Sequence, residues 1–177
     1  MSFWKKLFGG SKEETPAQEV NVNTVPESND FFVSPIAGEI KPLSEVPDPV
    51  FAEKMMGDGF AIVPSKGEVV SPVDGKIVNI FPTKHAIGIQ SNDGKEVLIH
   101  FGLETVKLNG EGFTAHVEAD QTVKKGQVLL TVDMDFISKN AKSTITPVIF
   151  TNLTGETVTL LKTGSVESGE ANIVSVK

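Results

Sequence analysis

The chain contains no cysteine and no tyrosine. The first absence excludes disulfides, thiolate metal sites and a cysteine nucleophile, and is compatible with a cytoplasmic location. The second leaves carboxylates, lysines and three histidines as the acid–base groups. No apolar run approaches the roughly 18 residues that a membrane-spanning helix needs. Positive charge is scarce too: 16 Lys plus Arg stand against 23 Asp plus Glu, a net −7. Nucleic acid is therefore not an expected partner, because neutralising phosphates takes clustered basic side chains. There is no His-x-His, no His-Glu-x-x-His and no P-loop, which argues against a nucleotide kinase.

What is present suits one soluble domain with an appendage. The 177 residues are 39% hydrophobic with mean hydropathy near zero. A domain of about 145 residues buries close to two-thirds of its unfolded surface, enough for a core without staples. Residues 1–10 read as an amphipathic segment: Phe3, Trp4, Leu7 and Phe8 make one apolar stripe beside Lys5 and Lys6. That pattern predicts a weak anchor on an anionic membrane surface, and so peripheral association of a cytoplasmic protein. Residues 11–30, polar and rich in Glu, Asn and Pro, read as a flexible linker, and 31–177 as the folded domain.

From Phe31 onward, short apolar runs are punctuated by Gly and Pro, which predicts an all-β sandwich or barrel. Ser34-Pro-Ile-Ala-Gly-Glu-Ile40 is echoed by Ser71-Pro-Val-Asp-Gly-Lys-Ile77, so a β-motif is duplicated, its glycine suited to a turn with positive φ. Helical signals are few. Asp48-Pro49 predicts one or two turns to Lys54, and Phe136–Ala141 a second short helix capped by Asp135. Met56–Phe60, Asn109–Gly112 and Lys124–Gly126 read as turns, and Val148–Val176 as at least three short strands.

The stretch Phe81–Gly102 carries two histidines, His85 and His100, on what reads as one hairpin. Thr83–Gln90 is expected as a strand, Ser91–Gly94 as the turn and Lys95–Phe101 as the return strand. A two-residue loop sets His100 diagonal to His85, and a four-residue loop sets it directly opposite. Both put the rings on one face, whereas a three-residue loop without a bulge separates them. Thr83, two residues before His85, shares its face and can hold one ring nitrogen. Such a pair supports two chemistries: a metal site needing further ligands, or nucleophilic attack on phosphorus by one neutral imidazole assisted by the other. His116, with no polar neighbour in sequence, reads as a core histidine.

Several separated segments agree in order with one family. Val97–Val106, Lys107–Phe113, Pro47–Glu53, Gly57–Gly59 and Ala141–Val148 resemble the glucose-type IIA phosphocarriers of the bacterial phosphoenolpyruvate-dependent sugar phosphotransferase system. The resemblance implies an antiparallel β-sandwich of the duplicated hybrid motif type and a phosphohistidine relay needing no cofactor. His100 would take the phosphoryl group from the carrier protein HPr, His85 would stabilise it, and Thr83 would orient His85. The group then passes to a cysteine of a IIB unit, which must lie on another chain, and a IIC permease moves the sugar. Phe51, Phe81 and Phe101 would form an apolar docking disc, with Asp48 and Glu104 on its acidic rim. Leu98 stands where relatives often carry an aromatic, Ile87 is likewise aliphatic, and Glu104 replaces the usual aspartate. The resemblance adds regulated transporters or kinases as partners of the unphosphorylated form, with zinc shared across such an interface by His85 and His100.

Two other classes compete. A zinc peptidase on a similar β-architecture needs a ligand set this chain lacks, since Ile99 and Phe101 flank His100. A biotinyl- or lipoyl-type domain, suggested by Ser71–Gly75, needs a modifiable lysine in a hairpin, whereas Lys76 falls in a strand beside Ile77.

Overall fold

The computed structural model describes residues 31–177; the amphipathic segment 1–10 and the linker 11–30 lie outside the described residues. Thirteen strands follow in chain order: β1 Gly38–Pro42, β2 Asp58–Pro64, β3 Glu68–Val70, β4 Gly75–Ile80, β5 Ala86–Ser91, β6 Glu96–His100, β7 Phe113–Ala115, β8 Thr122–Val123, β9 Val128–Val132, β10 Thr146–Phe150, β11 Val158–Leu160, β12 Gly164–Val166 and β13 Val174–Val176. They form an eight-stranded sheet in the order β12-β1-β2-β10-β6-β5-β4-β8, a three-stranded sheet β3-β9-β7 and a pair β11-β13. The pairings are antiparallel throughout, as the punctuated apolar runs predict.

Alternation along the strands gives the large sheet two buried faces. Phe60 and Ile62 of β2, Ile87 and Ile89 of β5, Val97 and Ile99 of β6, and Val148 and Phe150 of β10 point one way. They meet Val69, Leu130, Val132 and Phe113 of the three-stranded sheet in the main core. The residues between them, Ala61, Leu98 and Ile149, point the other way. There they join Leu43, Val46, Phe51, Leu103 and Ile145 in a second, smaller cluster. Burying a side chain such as Phe51 or Leu98 contributes about 1.5–3 kcal/mol, so this patch is a platform with its own cohesion.

Among the described residues the α-helices are two and short. α1, Pro49–Ala52, starts where the sequence predicts: Asp48 caps it, its carboxylate accepting from Val50 N–H at 3.0 Å. α2 runs over Met134–Asn140, two residues earlier than expected, because Asp133 rather than Asp135 is the cap and accepts from Phe136 N–H at 3.1 Å. The Met56–Phe60 turn is also shorter than expected, since β2 already begins at Asp58.

The duplication is real and symmetric in its hydrogen bonds. Ser34 and Ser71, both fully buried, donate from Oγ to the carbonyls of Ile36 and Val73 at 2.8 and 2.7 Å. The two copies then bond each other reciprocally: Val33 N–H to Pro72 O at 2.9 Å, and Val70 N–H to Pro35 O at 2.8 Å. Each serine carbonyl accepts from a glycine N–H in a distant turn, Gly169 for Ser34 and Gly126 for Ser71. The repeated glycines serve close approach rather than positive φ, correcting the sequence expectation. A Cβ on Gly38 would lie 2.1 Å from Val63 O, and one on Gly75 would lie 2.0 Å from Gln90 O.

Candidate phosphoryl-transfer site

β5 and β6 pair with Ala86 opposite His100 and Gln90 opposite Glu96. Ser91 N–H donates to Lys95 O at 2.8 Å, leaving Asn92, Asp93 and Gly94 as the loop. This is the three-residue loop, the one register that alternation says should part the histidines. The rings nevertheless lie 4.9 Å apart between centroids, at 80°. The reason is that His85 is not in a strand. β5 starts at Ala86, and residues 81–85 form a tight turn closed by Lys84 N–H to Phe81 O at 2.7 Å and Phe81 N–H to Ala86 O at 3.1 Å. Lys84 takes a left-handed φ of 56°, which breaks the alternation immediately before His85.

Each ring is fixed by one nitrogen. His85 Nδ1 and Thr83 Oγ1 share a 2.6 Å hydrogen bond. His100 Nδ1 lies 2.8 Å from the carbonyl oxygen of Gly102. A carbonyl only accepts, so His100 Nδ1 carries the proton and the neutral ring presents a lone pair at Nε2. Behind the pair stand two phenylalanines, giving a row of four rings: Phe81 is 5.5 Å from His85, and Phe51 is 5.1 Å from His100.

The electrostatics favour neutral rings. His85 is only 4% exposed; burial, with the neighbouring His100 adding to it, pushes its pKa down to about 4. Burial also lowers that of His100, against the opposing pull of the Gly102 carbonyl and the Asp48 carboxylate. Among the described residues no group of three or more His, Cys, Asp or Glu is placed to hold a metal ion. A metal on this pair would need the rest of its ligands from outside the described residues.

The expected docking residues divide. Phe51 and Phe81 belong to the second cluster beneath the histidines. Asp48 caps α1, and Glu104, at a left-handed φ of 56°, pairs with Lys107 at 3.5 Å. Phe101 is a correction: it is fully buried in the main core, edge-on to Phe113 at 6.1 Å. Alternation requires this, since a residue next to His100 points to the opposite face. The same rule puts Leu98 beside the site, a member that aromatic matching passed over. Exposed apolar side chains near these residues in sequence include Val50, Met55 and Met56 around Phe51, and Val106 after Glu104. His116 is also corrected: it is exposed on the other sheet, with Nε2 2.7 Å from Thr131 Oγ1.

A family model described as phosphoenolpyruvate-dependent sugar phosphotransferase system, EIIA 1, matches residues 31–155. The chain belongs to that EIIA family. It is 57% identical over 147 residues to the glucosamine-specific EIICBA component of Bacillus subtilis (strain 168), covering 80% of this chain and 23% of that protein. It is 55% identical over 141 residues to the glucose-specific EIICBA component of Staphylococcus carnosus (strain TM300), covering 80% and 21%. The chain thus spans under a quarter of the length of these curated relatives. Among solved structures, glucose permease IIA from Mycoplasma capricolum superposes with a TM-score of 0.77 at 46% identity, over 81% of this chain and 93% of that one. The EIIA fold is therefore the antiparallel β-sandwich described above. No helix among the described residues of this EIIA chain is long and apolar enough to cross a membrane.

Proposed function

We propose that this EIIA chain carries its phosphoryl group on His100 Nε2, taking it from phospho-HPr and passing it to a cysteine of a IIB unit. The observation that carries this is the 2.8 Å bond from His100 Nδ1 to Gly102 O, which leaves Nε2 unprotonated in a ring kept neutral by burial. The lone pair attacks phosphorus in line, the P–N bond to the donor histidine breaks, and the donor ring leaves with the electron pair. Positive charge builds on the His100 ring as the new bond forms. The Gly102 carbonyl and the Asp48 carboxylate, which already favour a positive ring, stabilise it.

His85 stabilises the phosphoryl oxygens. To donate from Nε2–H to those oxygens, the neutral His85 ring accepts at Nδ1 from Thr83 Oγ1, across the 2.6 Å bond. Because phosphoryl transfer asks little covalent work of the protein, placement of these two rings supplies most of the catalysis. Phe51, Phe81 and Leu98 support the docking surface, with Asp48 and Glu104 as its acidic edge toward HPr and IIB. The apolar stripe Phe3/Trp4/Leu7/Phe8 adds weak affinity for an anionic membrane.

The test is incubation with phosphoenolpyruvate, enzyme I and HPr, followed by intact mass at neutral to alkaline pH, since phosphohistidine is acid-labile. The wild type should gain one phosphoryl group and His100→Ala none. A phosphorylated His100→Ala would refute the assignment.

A further inference from the structure

The proposed nucleophile is held by main-chain atoms, and these are held in turn by two buried hydroxyls. The peptide joining Gly102 to Leu103 is fixed at both ends: its carbonyl accepts from His100 Nδ1 at 2.8 Å, and its N–H donates to Ser143 O at 2.9 Å. The peptide before it, joining Phe101 to Gly102, is fixed the same way by side chains. Its carbonyl accepts from Thr105 Oγ1 at 2.7 Å, and its N–H donates to Thr146 Oγ1 at 3.3 Å. Thr146 Oγ1 donates onward to Thr144 O at 3.0 Å.

Both threonines are fully buried, so water cannot replace a lost hydroxyl. An unsatisfied buried partner is costly enough to make the backbone shift in search of another. Gly102 has little room for such a shift without loss of register. Its φ is 72°, and a Cβ there would lie 2.8 Å from both Ser143 O and Thr105 Cγ2.

We infer that Thr105 and Thr146 are positioning residues for phosphoryl transfer: they fix Gly102, whose carbonyl sets the orientation and the Nδ1–H tautomer of His100. Neither hydroxyl bonds the imidazole; both act through the glycine. The inference rests on the reading of His100 as the phosphoryl acceptor, and its first readout does not depend on phosphorylation.

Thr105→Val and Thr146→Val remove the hydroxyls with little change of shape, and the matching serine variants keep them. Nitrogen NMR of the unphosphorylated chain reports the His100 tautomer, and single-turnover acceptance from phospho-HPr reports rate and apparent KM separately. The valine variants should show a mixed Nδ1–H/Nε2–H population and a maximal rate lower by about tenfold at unchanged KM. Serine should restore both. Folded valine variants with wild-type tautomer and rate would overturn the inference, as would serine variants as impaired as valine. If a valine variant fails to fold, Thr146→Ser and Thr146→Cys differ by one atom and make the same comparison. Cysteine should then behave as impaired and serine as wild type, and equal behaviour overturns the inference. Phosphorylation of His100→Ala would instead defeat the acceptor assignment, leaving the tautomer result to stand or fall on its own.

Discussion

Across the β5–β6 ladder His100 faces Ala86, yet its ring meets that of His85, one residue earlier, at 4.9 Å. The meeting depends on a turn rather than on strand pairing. It also gives the rings different surroundings: His85 is nearly closed off, while His100 is partly open.

These surroundings separate the roles. His85→Gln keeps a neutral donor and should still let His100 accept phosphate from HPr. Onward transfer to IIB should slow by about 10²–10³, the usual cost of losing one well-placed donor. His100→Gln should accept none. Following the two half-reactions with purified partners checks this, and the reverse pattern would exchange the roles.

Stability should depend on pH through His85. Its pKa is about 4 when folded, against an ordinary imidazole value of 6.5. As pH falls below about 6.5, the unfolded chain takes up a proton that the folded chain refuses. The stability present above that pH is therefore lost progressively down to about pH 4, by an amount on the order of 3 kcal/mol. Urea unfolding at pH 7 and 4.5 should show a smaller loss for His85→Gln than for the wild type. Parallel losses would mean that His85 is not buried neutral.

Phe101 and Phe81 should part company under mutation. Phe101→Ala opens the main core and should cost about 3–5 kcal/mol in a denaturant melt. Phe81→Ala, at a half-buried site beside His85, should cost less and instead raise the apparent KM for phospho-HPr. Weak docking by Phe101→Ala at full stability would restore that ring to the surface.

Deleting residues 1–10 should lower binding to vesicles containing anionic lipid while leaving phosphorylation by HPr unchanged, because the apolar stripe is remote in sequence from both histidines. Equal vesicle binding by the two forms would remove the anchor.

Much of the site could be read in the chain, though by a partly mistaken route. The closeness of His85, His100 and Thr83 is in the sequence, but the strand expected from Thr83 starts only at Ala86, after both Thr83 and His85. Two errors cancelled: the loop has three residues, and His85 stands outside the alternation that would then have hidden it. Lys84 gives no warning of its left-handed φ, since Gly, Asn or Asp normally marks such a position. Phe101 could have been excluded by counting from His100. Gly38 and Gly75 could not have been understood locally, because what crowds them is a carbonyl on a neighbouring strand. Nor could the Gly102 carbonyl or its two threonines, since a main-chain acceptor has no letter of its own.

The reciprocal bonds between the Ser34 and Ser71 motifs imply two equivalent seats in this molecule, and the second is occupied differently. Gly38 pairs with Pro64 as Gly75 pairs with Ser91, and the sixth residue before each partner is Asp58 in one copy and His85 in the other. Ile149 stands opposite Gly59 as His100 stands opposite Ala86. In the seat that corresponds to His85, Asp58 accepts from Gly59 N–H at 2.8 Å and Val158 N–H at 2.9 Å, and pairs with Lys54 at 3.2 Å. That carboxylate ties β11 to the large sheet. One backbone geometry, written twice, thus seats an imidazole beside His100 in one half and moors the C-terminal strands in the other, so the frame is secured at the seat that carries no histidine.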